Sequence, residues 1–458
     1  MKKIYFLIFI LITHSVLVYS VEPNTVIATI PVGLNPAGIA VTPNNLFAYV
    51  ANDNQNNIPG QDTVSVLNLT TNVVDQTISS TTFNQPYTIT INASGTKAYV
   101  TNSNYTTVSI VDISANAVTG LITGFDGPSG FAITPDGATA YVNNYGSPEG
   151  VMSGNGTKVN IVDLTTLSIT GTIIVDQAPA ALALSPDGKH LYVASYTNGN
   201  LGAGTVDVVD TTSNLVTTTI LGFSGPFAIT VTPDGQYAYV TNFGSNNFSP
   251  VGTTISVIDL NTNNISDTIT VGIQPDGLAI TPDGRYAYAT NYNTLYNGPC
   301  GDYTDLTAAQ GTVNIIDIAT NTVISPMIPV GRSPANVAIS PDGQFAYITN
   351  YTSNTVDVIA LPAAQITIQG CKIVNRFLTQ IDYCNKLTWT VSGSSLPKSY
   401  SIYRDANLTD LAGTILAEPF IFFDHNRNPN STYTYYIVGN YDGGITTVPL
   451  AITITQNC

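Results

Sequence analysis

One segment recurs seven times along the 458 residues of this chain: an apolar run, a tight turn, and a strand ending in Tyr-Val-Thr-Asn or a close variant. The first copy turns at Thr42-Pro43-Asn44-Asn45 and ends in Tyr49-Val50-Ala51-Asn52. The second turns at Asn92-Ala93-Ser94-Gly95 and ends in Tyr99-Val100-Thr101-Asn102. The next five turn at Pro135-Asp136-Gly137, Pro186-Asp187-Gly188, Pro233-Asp234-Gly235, Pro282-Asp283-Gly284 and Pro341-Asp342-Gly343, followed by Tyr141, Tyr192, Tyr239, Tyr288 and Tyr347 in turn. A unit repeated in this way buries its apolar faces against its neighbours, so the repeat dictates the architecture before any local propensity does.

Each copy resolves into four short segments of β-branched and aromatic residues, separated by Asn, Asp and Gly clusters. In the fifth copy these are 227–231, 237–241, 254–260 and 265–271. The repeat tyrosines stand 42 to 59 residues apart, and four strands in a unit of that size describe a propeller blade. The seventh copy supplies only three strands, the last at 355–361. Residues 25–30, followed by Val32-Gly33, match the fourth strand of the sixth copy, which runs to Val330-Gly331. A strand from the N-terminal segment therefore completes the last blade and leaves no unpaired edge in the ring. The expected fold class is all-β: a seven-bladed β-propeller over residues 21–362, then a small β-sandwich over 363–458. No stretch shows sustained helical periodicity.

The ordered Pro-Asp-Gly, Tyr-Val-Thr-Asn and Val-Ile-Asp elements resemble the YVTN-type β-propeller repeats of bacterial and archaeal surface and periplasmic proteins, among them the YncE-like and surface-layer-like groups. The resemblance covers residues 24–361 and implies the fold. It does not imply a function, because the repeats encode blades and not a site.

Nearly all length variation sits in one loop per copy, between the second and third strands, where the insert ranges from 4 to 20 residues. The long loops are 53–62, 145–157, 196–204, 243–253 and 292–311, and antiparallel strand order puts them all on the face that carries the blade-to-blade connections. Insertions on one face mark a candidate binding face. Tyr145, Tyr196, Phe243, Tyr292 and Tyr351 follow the repeat Asn or its equivalent. They are the candidate binding residues, able to stack on a sugar or anchor a peptide; the alternative is that each packs beneath its own loop.

Residues 1–20 read as a secretory signal: Lys2 and Lys3, an apolar run from Ile4 to Ile12, then Val18-Tyr19-Ser20 at the cut. The expected localisation is secreted, periplasmic or cell-surface, and no later segment is long and apolar enough to cross a membrane. Without Lys2 and Lys3 the chain carries 11 Lys and Arg against 29 Asp and Glu, a net charge of −18. Such a field repels phosphate backbones, so nucleic acid is not an expected partner.

Catalytic chemistry finds little support. His190 and His425 remain beyond the signal, both in turns, too few for a histidine-ligated metal or haem and away from the predicted channel. The channel positions at the heads of the first strands are Ala37-Gly38, Tyr87-Thr88, Ser129-Gly130, Ala180-Ala181, Phe227-Ala228, Asp276-Gly277 and Ala335-Asn336. Asp276 is the one carboxyl among them. Seven-bladed lactonases share the blade count, but their expected cluster of channel acids and bases is not assembled by this reading. Asp424-His425-Asn426-Arg427-Asn428 alternates oxygen ligands like a calcium loop and lacks its Gly and closing Glu. No metal and no cofactor are expected.

Beyond residue 362 the repeat stops. Strands are expected at 387–390, 399–404, 420–424, 432–438 and 446–455, an order that resembles a fibronectin type III domain. Trp389 matches its core Trp and Tyr433 its corner tyrosine. That resemblance implies Cys384 beside Cys458, leaving Cys300 and Cys371 to pair or stay free; no C-x-x-C occurs. Together these features point to an exported, non-catalytic binding protein with a protein or carbohydrate ligand on the long-loop face. The alternatives are an exported enzyme of lactonase-like type or a structural envelope protein.

Overall fold

The computed structural model describes residues 23–55, 58–146, 154–196, 204–244, 251–293, 310–362, 365–376, 381–392, 399–416, 421–425, 427, 431–440 and 450–454. The signal segment, Cys300 and Cys458 lie outside these residues, as does most of each long loop, and the side chains of Cys371, Cys384 and Trp389 are likewise not described.

Seven four-stranded antiparallel sheets follow one another along the chain. Their first strands are Pro36–Val41, Pro86–Ile91, Pro128–Ile133, Pro179–Leu184, Pro226–Val231, Pro275–Ile280 and Pro334–Ile339. Each lies beside the first strand of the next blade, and Pro334–Ile339 lies beside Pro36–Val41, so the ring closes around a channel lined by these seven. The last blade takes its outer strand from Thr25–Pro31, which pairs antiparallel with Thr355–Ala360 and sets Ile30 opposite Val356. Seven blades and this mode of closure are as the sequence predicts.

No blade has a core of its own. Seven apolar clusters lie between successive blades, each built from two facing sheets. Tyr49, Val64 and Ile78 of blade one meet Ile89 and Val100 of blade two. At the closing junction Ile30, Tyr347, Val356 and Val358 of blade seven meet Ile39, Val50 and Leu67 of blade one. The repeat tyrosine adds a polar clasp. Tyr141 donates from its hydroxyl to Asn214 Oδ1 of the next blade at 3.1 Å, and Tyr239 to Asn321 Oδ1 at 2.6 Å. Tyr49 makes the same bond to Asn116. In blade six the acceptor is Asn24, supplied by the N-terminal segment, at 2.9 Å. All four asparagines sit at positive φ, a conformation in which Asn is several-fold enriched among non-glycine residues.

The turns opposite the loop face share one device. Thr134 Oγ1 donates to Asp136 Oδ1 at 2.6 Å, and that carboxylate oxygen accepts from the Ala138 amide at 3.0 Å, while Gly137 takes φ 72°. Ser185–Asp187, Thr232–Asp234, Thr281–Asp283 and Ser340–Asp342 repeat it.

The C-terminal residues form two further sheets. One holds Gln365–Arg376, Ile381–Ser392 and Ile421–Asp424; the other runs in the order Leu411–Ile415, Ser399–Tyr403, Tyr433–Asn440, Leu450–Ile454. Leu387 of the first sheet and Tyr400, Ile402, Tyr435, Ile437 and Ile454 of the second share one core. Gln365–Arg376 and Leu411–Ile415 were not among the expected strands. Asp424 is buried and takes both prongs of the Arg404 guanidinium, at 3.0 and 2.9 Å. It also accepts from the Tyr435 hydroxyl at 2.7 Å, and that hydroxyl accepts from Asn385 Nδ2 at 2.8 Å. Asp424 is thereby occupied as the polar bolt between the sheets. The tyrosine that serves this junction is Tyr435; Tyr433 is half-buried.

Two outcomes follow. Ile30→Ala at the closing junction, where Ile30 is 2% exposed, lowers unfolding stability by about 2–4 kcal/mol, while Ile27→Ala, 38% exposed, costs under about 1 kcal/mol in denaturant titration. Equal effects would mean that the closing strand is not packed. Asp424→Asn removes the buried charge partner of Arg404, which keeps its contact with Asp410, and costs about 3 kcal/mol, read in the transition that Trp389, the single Trp of the chain, reports by fluorescence.

Candidate functional site

Every first strand opens with a proline, and the residue before that proline sits at positive φ in all seven blades. Asn35, Gln85, Gly127, Ala178, Gly225, Gln274 and Ser333 fall between φ 47° and 59°. For a residue with a Cβ this conformation costs about 1–2 kcal/mol, so it persists because the surrounding ring enforces it. It turns the incoming connection sharply into the channel and aims one carbonyl at the end of the second strand. There that carbonyl accepts the amide of the residue after the repeat Asn: Asp53 to Asn35 at 3.0 Å, Ser103 to Gln85 at 3.1 Å, Tyr145 to Gly127 at 2.9 Å and Tyr196 to Ala178 at 2.8 Å. Phe243 to Gly225, Tyr292 to Gln274 and Tyr351 to Ser333, each at 2.9 Å, complete the set. Seven equivalent positions thus ring one mouth of the channel.

The repeat Thr clips the same end together. Thr349 Oγ1 accepts from the Asn336 amide of its own blade at 3.0 Å and donates to the Ala37 carbonyl of blade one at 2.8 Å. Thr241 likewise joins the Ala228 amide to the Asp276 carbonyl of the next blade. First strands approach so closely that a Cβ on Gly38 would stand 2.5 Å from the Tyr87 carbonyl oxygen. The small residues of the channel lining follow from that spacing.

Five of the seven ring positions hold the aromatics singled out from the sequence, and they are not alike. Tyr196 and Phe243 are buried, and the Tyr196 hydroxyl donates to the Gly244 carbonyl at 2.8 Å. Tyr145, Tyr292 and Tyr351 are half-buried. The rings form a chain: Phe227 to Phe243 at 5.3 Å between centroids, Phe243 to Tyr292 at 6.1 Å, Tyr292 to Tyr351 at 6.4 Å. Tyr196 meets Phe227 edge-on at 6.2 Å. Aromatic side chains therefore wall one arc of the mouth.

The sixth ring position carries a carboxyl that the sequence reading missed. Asp53 of blade one is 6% exposed, and its Oδ2 accepts from the Tyr351 hydroxyl at 2.7 Å. Its Oδ1 is buried with no hydrogen-bond partner. Burial pushes Asp53 up to about 7, with Asp62 adding to the rise and the Tyr351 hydroxyl opposing it. Asp276 of blade six is 7% exposed, and burial raises it well above the ordinary carboxyl range. Tyr87 of blade two lies close enough to interact with Asp276, Asp53, Tyr145 and Tyr292. Burial first, then those charges, raises the Tyr87 hydroxyl far above its usual value. Tyr87 is half-buried. No Lys, Arg or His among the described residues acts on either carboxyl.

Two nearly buried carboxyls, in blades one and six, thus stand where the sequence reading counted one acid. The missed signal was positional. Asp53 follows Asn52 as Tyr351 follows Asn350, so aligning the seven copies on that column exposes it. The histidines stand apart: His190 begins the strand His190–Ser195 at the turn face, and His425 follows Asp424 in the C-terminal sheets. A cleft of about 540 Å³ also opens at the turn face between blades five and six, where Asp234, Asp259, Asp267 and Asp317 stand with Arg285. None of those carboxylates is buried, so it is a hydrated acidic surface. Among the described residues no cluster of His, Cys, Asp or Glu is arranged to hold a metal, and no helix is long and apolar enough to cross a membrane.

Asp53→Asn tests the electrostatics of the mouth. The folded state keeps a proton on Asp53 that the unfolded chain releases near 3.8, so wild-type stability falls as pH rises from about 4 to about 7. The Asn variant has no proton to lose. Its advantage over wild type is smallest below pH 4 and grows to about 4 kcal/mol above pH 7 in denaturant unfolding. A difference independent of pH would show an ordinary, hydrated carboxylate.

Comparison with known proteins places this ring among relatives. The family model described as "Lactonase, 7-bladed beta-propeller" matches residues 122–252 and 249–374, together more than half of the chain. The seven-bladed beta-propeller protein Rv1057 of Mycobacterium tuberculosis is 30% identical over 165 residues, 35% of this chain and 38% of that protein. The PE-PGRS family protein PE_PGRS18 of the same organism is 46% identical over 59 residues, 13% of each chain. The chain thus matches less than half the length of these curated relatives. Among solved structures, Kuenenia stuttgartiensis hydrazine synthase aligns with a TM-score of 0.59 at 23% identity, covering 77% of this chain and 99% of the other. That likeness concerns the fold alone.

Proposed function

Because the chain belongs to the family of seven-bladed lactonase β-propellers, whose fold leaves function to the residues at its channel, we propose that it is an exported binding protein whose ligand docks at the loop-face mouth. The observation that carries this reading is Asp53 Oδ1, a buried carboxyl oxygen without a partner beside half-buried rings. An unpaired buried polar atom costs about 1–3 kcal/mol, and a ligand group pairing with it removes that cost. An apolar wall with a few convergent polar groups is the usual make-up of a ligand site. A protein or carbohydrate ligand suits the aromatic arc, since rings stack on sugar faces and anchor peptide side chains.

Export is the reading of the basic and apolar order of residues 1–20, and it places the protein in the periplasm, at the cell surface or outside the cell. The C-terminal unit, residues 363–458, is taken as a fibronectin type III-like spacer; its three-plus-four strand order supports this. Export also permits the Cys384–Cys458 disulfide that such a module implies.

Glycan and peptide arrays identify the ligand, and Tyr145→Ala with Tyr292→Ala then weakens it about 30-fold, near 2 kcal/mol, with an unchanged melting curve. Lys189→Ala with Gln236→Ala, on the turn face, leaves affinity unchanged. The reverse pattern would place the site on the turn face.

One observation favours a second reading, hydrolysis of the lactonase kind. Asp53 and Asp276 are held protonated toward neutral pH, the state a general acid needs, although no histidine stands with them. Turnover of simple lactones by wild type, lost in Asp53→Asn and Asp276→Asn, would establish it in place of pure binding.

A further inference from the structure

We propose that the contact between Tyr351 and Asp53 makes the closing seam of the ring a proton-sensitive latch, shut while the Asp53 carboxyl is neutral and the first seam to open once it ionises. The latch stands whether or not a ligand docks at the mouth. Blade seven ends its second strand at Asn350, and the next residue, Tyr351, donates from its hydroxyl to Asp53 Oδ2 of blade one at 2.7 Å. Residues 32–35, which link the closing strand Thr25–Pro31 to blade one, are held from both sides at this place. On the side of blade seven, the Val32 amide donates to the Asn354 carbonyl at 3.0 Å and the Asn35 amide to Asn354 Oδ1 at 2.8 Å. On the side of blade one, the Asp53 and Asn54 amides donate to the Asn35 and Leu34 carbonyls at 3.0 and 3.2 Å. Asp53 thus sits where the chain crosses from the last blade to the first.

A bond of the same form joins blades four and five, where Tyr196, at the ring position that matches Tyr351, donates from its hydroxyl to the Gly244 carbonyl at 2.8 Å. A carbonyl acceptor has no proton to release, whereas a carboxyl does. Asp53 is the one acid among the seven ring positions, the others being Ser103, Tyr145, Tyr196, Phe243, Tyr292 and Tyr351. It is 6% exposed, and its Oδ1 is buried without a partner. A buried carboxylate is tolerated only when paired. The titratable groups that interact with Asp53 are Asp62 from its own loop, Tyr351 from blade seven and Tyr87 from blade two. No Lys, Arg or His among the described residues acts on it. Asp62 is itself anchored, since its Oδ1 accepts the Gln85 amide of blade two at 3.0 Å. Burial raises Asp53 from the ordinary 3.8 to about 7, the Tyr351 hydroxyl opposing the rise and Asp62 adding to it. Parting the seam hydrates the carboxyl and returns it to its ordinary range. The closed seam therefore keeps a proton that the open seam releases. The equilibrium constant for opening rises up to about tenfold per pH unit from about pH 4 to about pH 7, then levels off.

Native-state hydrogen exchange of the full chain, read by mass spectrometry from about pH 5 to about pH 8 and corrected for the intrinsic rate at each pH, measures the opening of each seam. Peptides that hold the Val32, Asp53 and Asn54 amides report the closing seam. Those that hold the Tyr196 and Phe243 amides, which donate to the Ala178 and Gly225 carbonyls, report the seam of blades four and five. In wild type the closing seam is expected to lose about a hundredfold of protection between pH 5 and pH 7 and little more by pH 8, while the comparison seam stays within about threefold. In Asp53→Asn, whose side-chain oxygen still accepts from the Tyr351 hydroxyl, protection of the closing seam no longer depends on pH. Tyr351→Phe removes the hydroxyl that holds Asp53 down, so its loss of protection continues past pH 7 where wild type levels off. Protection of the wild-type closing seam that is independent of pH, both seams losing protection together, or a pH dependence that survives Asp53→Asn overturns the latch. The comparison of the two seams in wild type decides the matter even if neither variant folds.

Discussion

Apolar packing between successive blades is the interaction on which the rest of this molecule depends. A single four-stranded sheet of this length has two faces and no interior. Here each face is buried only against the next blade, in seven clusters that run round the ring. Such an array is stable only if it closes, because an open end would expose an apolar face and an unpaired edge together. Closure is carried by a short N-terminal strand that brings Ile30 into the junction core and Asn24 to the Tyr288 hydroxyl. The repeat tyrosine thus serves twice, as apolar filler at its ring and as a clasp at its hydroxyl.

Closing seven sheets around an axis has a consequence at the mouth. The connections must turn abruptly into the channel, and all seven do so with a positive-φ residue before a proline. That turn fixes the residue after each repeat Asn in an equivalent place on the rim. Side chains from blades far apart in sequence are thereby held at one mouth, and Asp53 meets Tyr351 across 298 positions of chain. The architecture tolerates costly groups there because seven interblade cores supply the stability. Desolvated carboxyls on a rigid rim are the local expense of a preorganised site.

Much of this was legible in the sequence. The count of blades, the missing strand of the last copy and the N-terminal segment that replaces it follow from the repeat alone, because Tyr-Val-Thr-Asn and Pro-Asp-Gly recur at matching places. The rim aromatics were legible for the same reason. Asp53 escaped because it breaks the column it occupies, and its partner Tyr351 belongs to another blade. The burial of Asp276 at the head of its strand depends on how closely the first strands approach, which no local pattern encodes. In the C-terminal unit Gln365–Arg376 escaped because Gly370 and Lys372 blur its alternation, and Leu411–Ile415 because Gly413 interrupts a short apolar run. Tyr435 and Tyr433 share a strand face, so only packing against Asp424 tells them apart.

The central claim is that the loop-face mouth holds acids that the protein desolvates and, among the described residues, leaves without a counter-charge. Carbon-13 NMR of the aspartate side-chain carboxyls, followed from pH 3 to pH 9 with Asp53→Asn and Asp276→Asn for assignment, observes this directly. The account predicts that the Asp53 signal titrates near 7, as burial places it, and that Asp276 remains protonated well above the ordinary carboxyl range. Both signals ionising near 3.8, as for a hydrated aspartate, would contradict it.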